Sequence, residues 1–166
     1  SDLPVFERIS NGIGYTFQIT SIFVNLTVYE NVALAIRKDN SNGEENSVSE
    51  VLSKVGLLDR IEQRSGDLSY GHQRLLELAM GMAQKPKLLI LDEPTQGLSD
   101  SEIENFKKLI KDISSSTTIL LIEHNMDVVM SIADNISVLH FGEIIADGDK
   151  ETIQNDPIVQ KAYLGD

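Results

Sequence analysis

Apolar positions along the chain change period several times, and each change marks an element. Ile13 to Gln18 is a short β-leaning run after the Asn11–Gly12 break, and it reads as a strand that delivers Gln18 to an edge. Val28, Val32, Leu34, Ala35 and Ile36 suit a short helix between Val28 and Lys38. The polar tract from Lys38 to Ser47, with Asn40, Asn42, Gly43 and Asn46, predicts an exposed loop. Ser47 followed by Glu50 is a capping-box pattern, so a helix is expected from there to Val55, stopped by Gly56. A longer helix is predicted from Gly71 to Gln84. Leu75, Leu76, Leu78, Ala79, Met82 and Ala83 form its apolar face, Ser69 is its N-cap and Pro86 follows its end.

Leu88 to Leu91 is apolar without alternation, as expected of a parallel strand buried on both faces. Ser99 with Glu102 forms a second capping box. The helix it opens should turn Ile103, Phe106, Ile110 and Ile113 inward and place Lys107, Lys108 and Lys111 toward its negative end. Thr117 to Ile122 predicts another buried strand. This strand–helix–strand order implies a right-handed parallel crossover and an α/β fold, with ligands at the carboxyl ends of the strands. Asp92, Glu93, Glu123 and His124 all fall there. A short helix from Met126 to Ala133, a hairpin of Ile136–His140 and Glu143–Ala146 around Phe141–Gly142, and a helical tail broken before Pro157 complete the pattern.

Composition narrows the chemistry. With 166 residues, 41% hydrophobic and 24% charged, the chain is expected to be one ordered domain with a sizeable core. A net charge of −12 sets it against nucleic-acid phosphate and anionic headgroups. No cysteine is present, which removes thiol catalysis and Cys-ligated metals. No apolar run approaches the roughly 20 residues of a spanning helix, so membrane contact is expected through a partner. The opening at Ser1, without Met or a basic-then-apolar leader, predicts a piece of a longer polypeptide.

Two segments carry chemistry. Leu88-Leu89-Ile90-Leu91-Asp92-Glu93-Pro94 ends a buried strand in adjacent carboxylates, which are costly to desolvate unless they hold a cation or poise a water. That is a layout for phosphoryl transfer from a nucleotide, with Asp92 on hydrated Mg²⁺ and Glu93 on the attacking water. A solvated turn after a strand is the plainer alternative. Leu68-Ser69-Tyr70-Gly71-His72-Gln73 opens a helix whose free amides could meet a phosphate, although a lone Ser-x-Gly there also fits an ordinary cap.

In order and spacing the two segments resemble the ATP-binding-cassette (ABC) ATPases, in which a Leu-Ser-Gly-Gly-Gln signature precedes the Walker B strand by one helix. The resemblance extends along nearly the whole chain. It implies a P-loop NTPase (RecA-like) core with a parallel sheet and an ABC helical subdomain, truncated at the N-terminus. Residues 1–20 would form the strand and Q-loop, 21–86 the helical subdomain and signature, and 87–166 the rest of the core with its C-terminal hairpin and helices. Gln18 resembles the Q-loop glutamine, in contact with metal and attacking water. Asp92 resembles the Mg²⁺ residue, Glu93 the catalytic carboxylate and His124 the switch histidine at the γ-phosphate. Ser69, Gly71 and His72 stand at the signature and Ser99 at the D-loop aspartate, which implies ATP contacts made across a dimer.

A finer resemblance is to ATPases that import branched-chain amino acids or urea and to the lipopolysaccharide-export ATPase. Gly12-Ile13-Gly14-Tyr15-Thr16-Phe17-Gln18, Leu26-Thr27-Val28-Tyr29-Glu30-Asn31-Val32, Leu68-Ser69-Tyr70-Gly71 and Ala162-Tyr163-Leu164-Gly165-Asp166 carry it. It implies ATP and Mg²⁺ as cofactors, transmembrane permease subunits and a second ATPase subunit as partners, and a peripheral place on the cytoplasmic face of the membrane. Residues Ile19 to Asn31 would receive the permease.

Some positions depart from the family. Tyr70 and His72 replace a glycine and a glutamine of the commonest signature, and Ser99 replaces an aspartate. None of the eleven glycines is followed by lysine, so no Gly-x-x-x-x-Gly-Lys-Ser/Thr loop occurs. In the family that loop lies before the point where this chain begins. The chain alone is therefore expected to bind ATP poorly, not to hydrolyse it, and to expose a sheet edge. The alternative is a non-catalytic module that binds the membrane subunit or another ATPase copy. ABC ATPases of DNA repair or translation fit poorly, because the Gln18–Ser69 interval is short, cysteine is absent and the charge is acidic.

Overall fold

The computed structural model describes residues 7, 11–16, 21–36 and 44–164; Gln18, Ile19, most of the polar 38–47 loop and the final Gly165 and Asp166 lie outside these. The chain divides into two compact units, Ser1–Glu123 and His124–Asp166.

The first unit joins a helical layer to a small parallel sheet. Its strands are β1 (Ile13–Tyr15), β2 (Leu88–Asp92) and β3 (Thr118–Ile122), and its helices are α1 (Val28–Ala35), α2 (Glu44–Lys54), α3 (Tyr70–Ala83) and α4 (Asp100–Ser114). The sheet order is β1-β2-β3, both pairs parallel, with Tyr15 opposite Ile90 and Ile90 opposite Leu120. Consecutive β2 and β3 lie side by side with α4 between them in sequence, the parallel crossover expected of this pattern.

Helix starts follow local side-chain chemistry. Thr27 caps α1 in a box with Glu30, and Ser99 caps α4 in a box with Glu102. Ser69 caps α3 as predicted. Helix α2 differs: it begins at Glu44, so Ser47 lies within it and is not its cap. On α4, Phe106, Ile110 and Ile113 are buried, whereas Ile103 is only partly covered.

The principal core lies among α1, α2 and α3, where Val28, Val32, Val48, Leu52, Leu57 and Leu76 are buried. Asn31 is the polar exception. Its Nδ2 donates to Ser65 Oγ at 2.8 Å and to the carbonyls of Thr27 and Phe23, while its Oδ1 accepts from the Phe23 amide at 2.8 Å. A fully buried amide is tolerated because its donors and acceptor are satisfied. On α3, Arg74 pairs with Glu77 at 3.0 Å, both side chains buried, and the Arg74 guanidinium lies 5.5 Å from the Tyr70 ring centre. Glu77 Oε1 also accepts from the Ser21 amide.

The sheet faces are unequal. Leu89 and Leu91 of β2 are buried, with Gly81 of α3 up against Leu89. On the opposite face β3 departs from the expected strand buried on both sides: Leu120 and Ile122 are 50% and 46% exposed, and Tyr15 on β1 is 43% exposed. Strand sequence shows that these positions are apolar, but not what covers them.

The second unit contains α5 (Met126–Ile132), the antiparallel hairpin of β4 (Ile136–His140) and β5 (Glu143–Gly148), α6 (Lys150–Asn155) and α7 (Pro157–Leu164). Ile136, Val138, Ile153 and Val159 form its core. The break before Pro157 falls where proline can start a helix but not continue one.

Candidate functional site

The carboxyl end of β2 assembles the acidic group. Asp92 is its last residue, and Asp92 Oδ2 accepts a hydrogen bond from the Tyr15 hydroxyl of β1 at 3.0 Å. The carboxylate raises the Tyr15 pKa above its ordinary value, chiefly through that hydrogen bond. Glu93 follows in the left-handed region, with φ of 45°. A non-glycine residue pays roughly 1–2 kcal/mol for that conformation. It is held there by its amide, which donates to the Ile122 carbonyl of β3 at 2.9 Å, and by the Gln96 amide donating to its carbonyl. That conformation begins the turn that follows the strand.

Beyond Pro94, Thr95 is buried and gives both its amide and its hydroxyl to Glu123 Oε1, at 3.0 and 2.5 Å. Glu123 follows β3 directly, so the loop after β2 is anchored to the end of the neighbouring strand. The pairings Tyr15–Asp92 and Thr95–Glu123 were not among the sequence expectations, although Glu123 was placed at the strand ends.

That loop continues to the start of α4. Ser99 Oγ accepts from the Glu102 amide at 3.4 Å and donates to Glu102 Oε2 at 2.7 Å, and the Ser99 amide donates to the same oxygen at 2.8 Å. These bonds hold the Glu102 carboxyl below its ordinary 4.5, with the nearby His72 adding to the effect.

At the opposing start of α3, Ser69 Oγ accepts from the His72 amide at 3.3 Å and lies 2.9 Å from His72 Nδ1. The two helix starts are packed together. A Cβ added at Gly71 would collide with Glu102 Oε1, so any larger residue there requires the Glu102 carboxylate to move. Gly97, at φ of 78°, lies against the Tyr70 ring, where a Cβ would come within 2.9 Å. Tyr70, at first a departure from the signature, thus fills the space beside the turn that follows Glu93.

The structure therefore brings Ser69, Gly71 and His72 together with Ser99 at one end, and links them through the 93–99 turn to Asp92 and Glu93. His124 occupies the link between β3 and α5, where the second unit begins, and is exposed. Gln18 lies outside the described residues.

Among the described residues no group of three or more His, Asp or Glu is arranged to hold a metal. Mg²⁺ characteristically keeps several waters and takes only one or two carboxylates alongside phosphate oxygens. A lone Asp92 beside Glu93 fits an ion completed by a nucleotide. It does not fit a cage made wholly of protein groups.

A parallel sheet with carboxylates at its β2 end, a capped helix start preceding that strand and a second beyond its turn define a nucleotide-binding cassette. The chain belongs to the ABC transporter family: the model of that family, "ABC transporter", matches residues 4–96, and one described as "Branched-chain amino acid ATP-binding cassette transporter" matches 143–166. It is similar to the high-affinity branched-chain amino acid transport ATP-binding protein LivG of Escherichia coli K12, at 36% identity over 99% of this chain and 72% of that protein. BraF of Pseudomonas aeruginosa, of the same description, is 37% identical over the same shares. The lipopolysaccharide export ATP-binding protein LptB of Haemophilus influenzae is 34% identical, over 99% of this chain and 70% of its own length.

Among solved structures, the ADP conformation of an ATP-binding cassette of an ABC transporter superposes with a TM-score of 0.84. It is 27% identical and is matched over 100% of this chain and 73% of that one. A nucleotide-free ATP-binding cassette gives 0.83 at 26% identity, over 100% and 74%. The chain is thus an ATP-binding subunit of an ABC transporter with the α/β P-loop NTPase fold. Members of this family bind ATP, generally hydrolyse it and work with transmembrane permeases. Among the described residues no helix is long and apolar enough to cross a membrane.

Proposed function

We propose that the protein drives an importer of branched-chain amino acids or a similar small solute by hydrolysing ATP at a site shared between two ATPase copies, with the phosphate-binding loop that these 166 residues lack supplied from outside them. The strained Glu93 beside Asp92 at the end of β2 carries this reading. Asp92 would hold Mg²⁺ through its waters, and the ion would draw off charge that builds on the phosphates. Glu93 would orient and deprotonate the attacking water, Gln18 would contact both water and metal, and His124 would reach the γ-phosphate. Ser69, Gly71, His72 and Ser99 would meet ATP held by the partner copy, where the positive end of the 14-residue α3 favours anions.

In this reading residues 1–20, 21–86 and 87–166 are the Q-loop strand, the helical subdomain and the remainder of the core. The permease would dock on the segment after Gln18, where Phe23 and Val24 are exposed and Asn31 fixes the backbone. The subunit would then lie on the cytoplasmic face of the membrane. The branched-chain amino acid assignment draws support from LivG and BraF and from the family match at residues 143–166.

Mixed dimers in the assembled transporter test the shared site. Pairing a Ser69→Ala copy with a Glu93→Gln copy leaves one complete site if the residues act in trans. Each single-variant homodimer, Ser69→Ala or Glu93→Gln, leaves none. Leucine-dependent turnover retained by the mixed dimer alone supports the reading. Equal loss in all combinations contradicts the shared site, and no ATP turnover by the wild type favours the non-catalytic module.

A further inference from the structure

The Tyr15 hydroxyl reaches a carboxylate 77 residues away in sequence. The register explains how. Tyr15 lies opposite Ile90, so Asp92 is the diagonal neighbour two residues further along β2, on the same face of the sheet. Diagonal neighbours in a sheet are about 7–8 Å apart at Cα, a gap that an aromatic side chain can span. A tyrosine delivers a donor across it; a phenylalanine would deliver the same ring without one. The phenol has a single proton, and in this structure Asp92 Oδ2 receives it at 3.0 Å.

We infer that Tyr15 is a positioning residue for the metal carboxylate: its O–H fixes Asp92 through Oδ2, leaving Oδ1 to accept from the waters around Mg²⁺. The inference rests on the reading of Asp92 as the magnesium residue. An aspartate at a strand end has two side-chain torsions, and a water-mediated ligand works only if its oxygen is held in place. Groups that orient a ligand in this way characteristically change metal affinity more than they change folding. Tyr15 is the last residue of β1, so the same bond ties that strand to Asp92.

The test uses the assembled transporter with Tyr15→Phe, Tyr15→Met and Asp92→Asn, each compared with wild type. Two readouts are taken: Mn²⁺ bound in the presence of ATP, by electron paramagnetic resonance, and the Mg²⁺ dependence of phosphate release. Both Tyr15 variants are expected to raise the half-saturating metal concentration about tenfold. The KM for ATP at saturating Mg²⁺ and the melting temperature should stay at wild-type values. Wild-type metal binding in Tyr15→Phe, with binding lost in Asp92→Asn, overturns the role of Tyr15 and leaves that of Asp92 standing. Wild-type metal binding in Asp92→Asn overturns the underlying assignment and the inference with it.

Discussion

Single residues show why the site is held as it is. Glu93 adopts a conformation that costs energy, and two groups from outside its own strand offset it: the Ile122 carbonyl that receives its amide, and Glu123, which grips Thr95 two residues on. Arg74 and Glu77 place another demand on the fold, since both charges are buried. Removing one of them leaves the other desolvated without its counter-ion. Glu77→Ala is expected to destabilise the protein by about 3–5 kcal/mol, whereas replacing both by well-packed apolar residues should cost far less. Urea denaturation of the single and double variants measures the difference. At this scale the sequence is legible only where partners are close along the chain. Ser69 and Ser99 are caps three residues from what they bind, and their spacing shows it. Tyr15–Asp92, Asn31–Ser65 and Thr95–Glu123 join residues 28 to 77 apart, and no local pattern pairs them.

Among elements, the starts of α3 and α4 matter most, because their packing joins the signature to the turn after Glu93. Glu102 serves two purposes there: it closes the cap of α4 and fills the space left by Gly71. Its carboxyl has a depressed pKa, so the stability it contributes is present above the ordinary 4.5 and is lost as the pH falls through the depressed value. Melting temperature should therefore be flat in Glu102 dependence near neutrality and fall below pH 4.5 more steeply in wild type than in Glu102→Gln. Equal acid slopes for both proteins contradict a linked carboxyl. Element type was readable throughout, since the apolar period separates β2 and β3 from the helices. The start of α2 was not: Ser47 and Glu50 match a capping box, but the helix begins three residues earlier, at Glu44.

For the whole molecule, the sheet of the described residues carries half-exposed apolar side chains on one face. Parallel sheets are ordinarily covered on both sides, yet Leu120, Ile122 and Tyr15 stand 43–50% exposed. Edges and apolar faces of this kind invite pairing with another chain. The isolated chain is expected to elute above its monomer mass at micromolar concentration in light-scattering chromatography, and Leu120→Thr with Ile122→Thr should shift it toward monomer. A monodisperse monomer with a sharp, high melting transition contradicts this. The acidic charge, −12, disfavours contact with nucleic acid and anionic surfaces without specifying a partner. Membership of the ABC family was legible because its motifs are short runs in fixed order. How far Asp92 and Glu93 depend on neighbours across the sheet emerged only from the strand register.

The proposed chemistry turns on Glu93, and phosphate release by the assembled transporter with Glu93→Gln tests it most directly. The substitution keeps the shape and removes the carboxylate proposed as the base. Turnover is expected to fall by about a hundredfold or more while ATP affinity stays at the wild-type value. Turnover within a factor of two or so of wild type, at unchanged affinity, would contradict the assignment of Glu93 and with it the chemistry drawn from the end of β2.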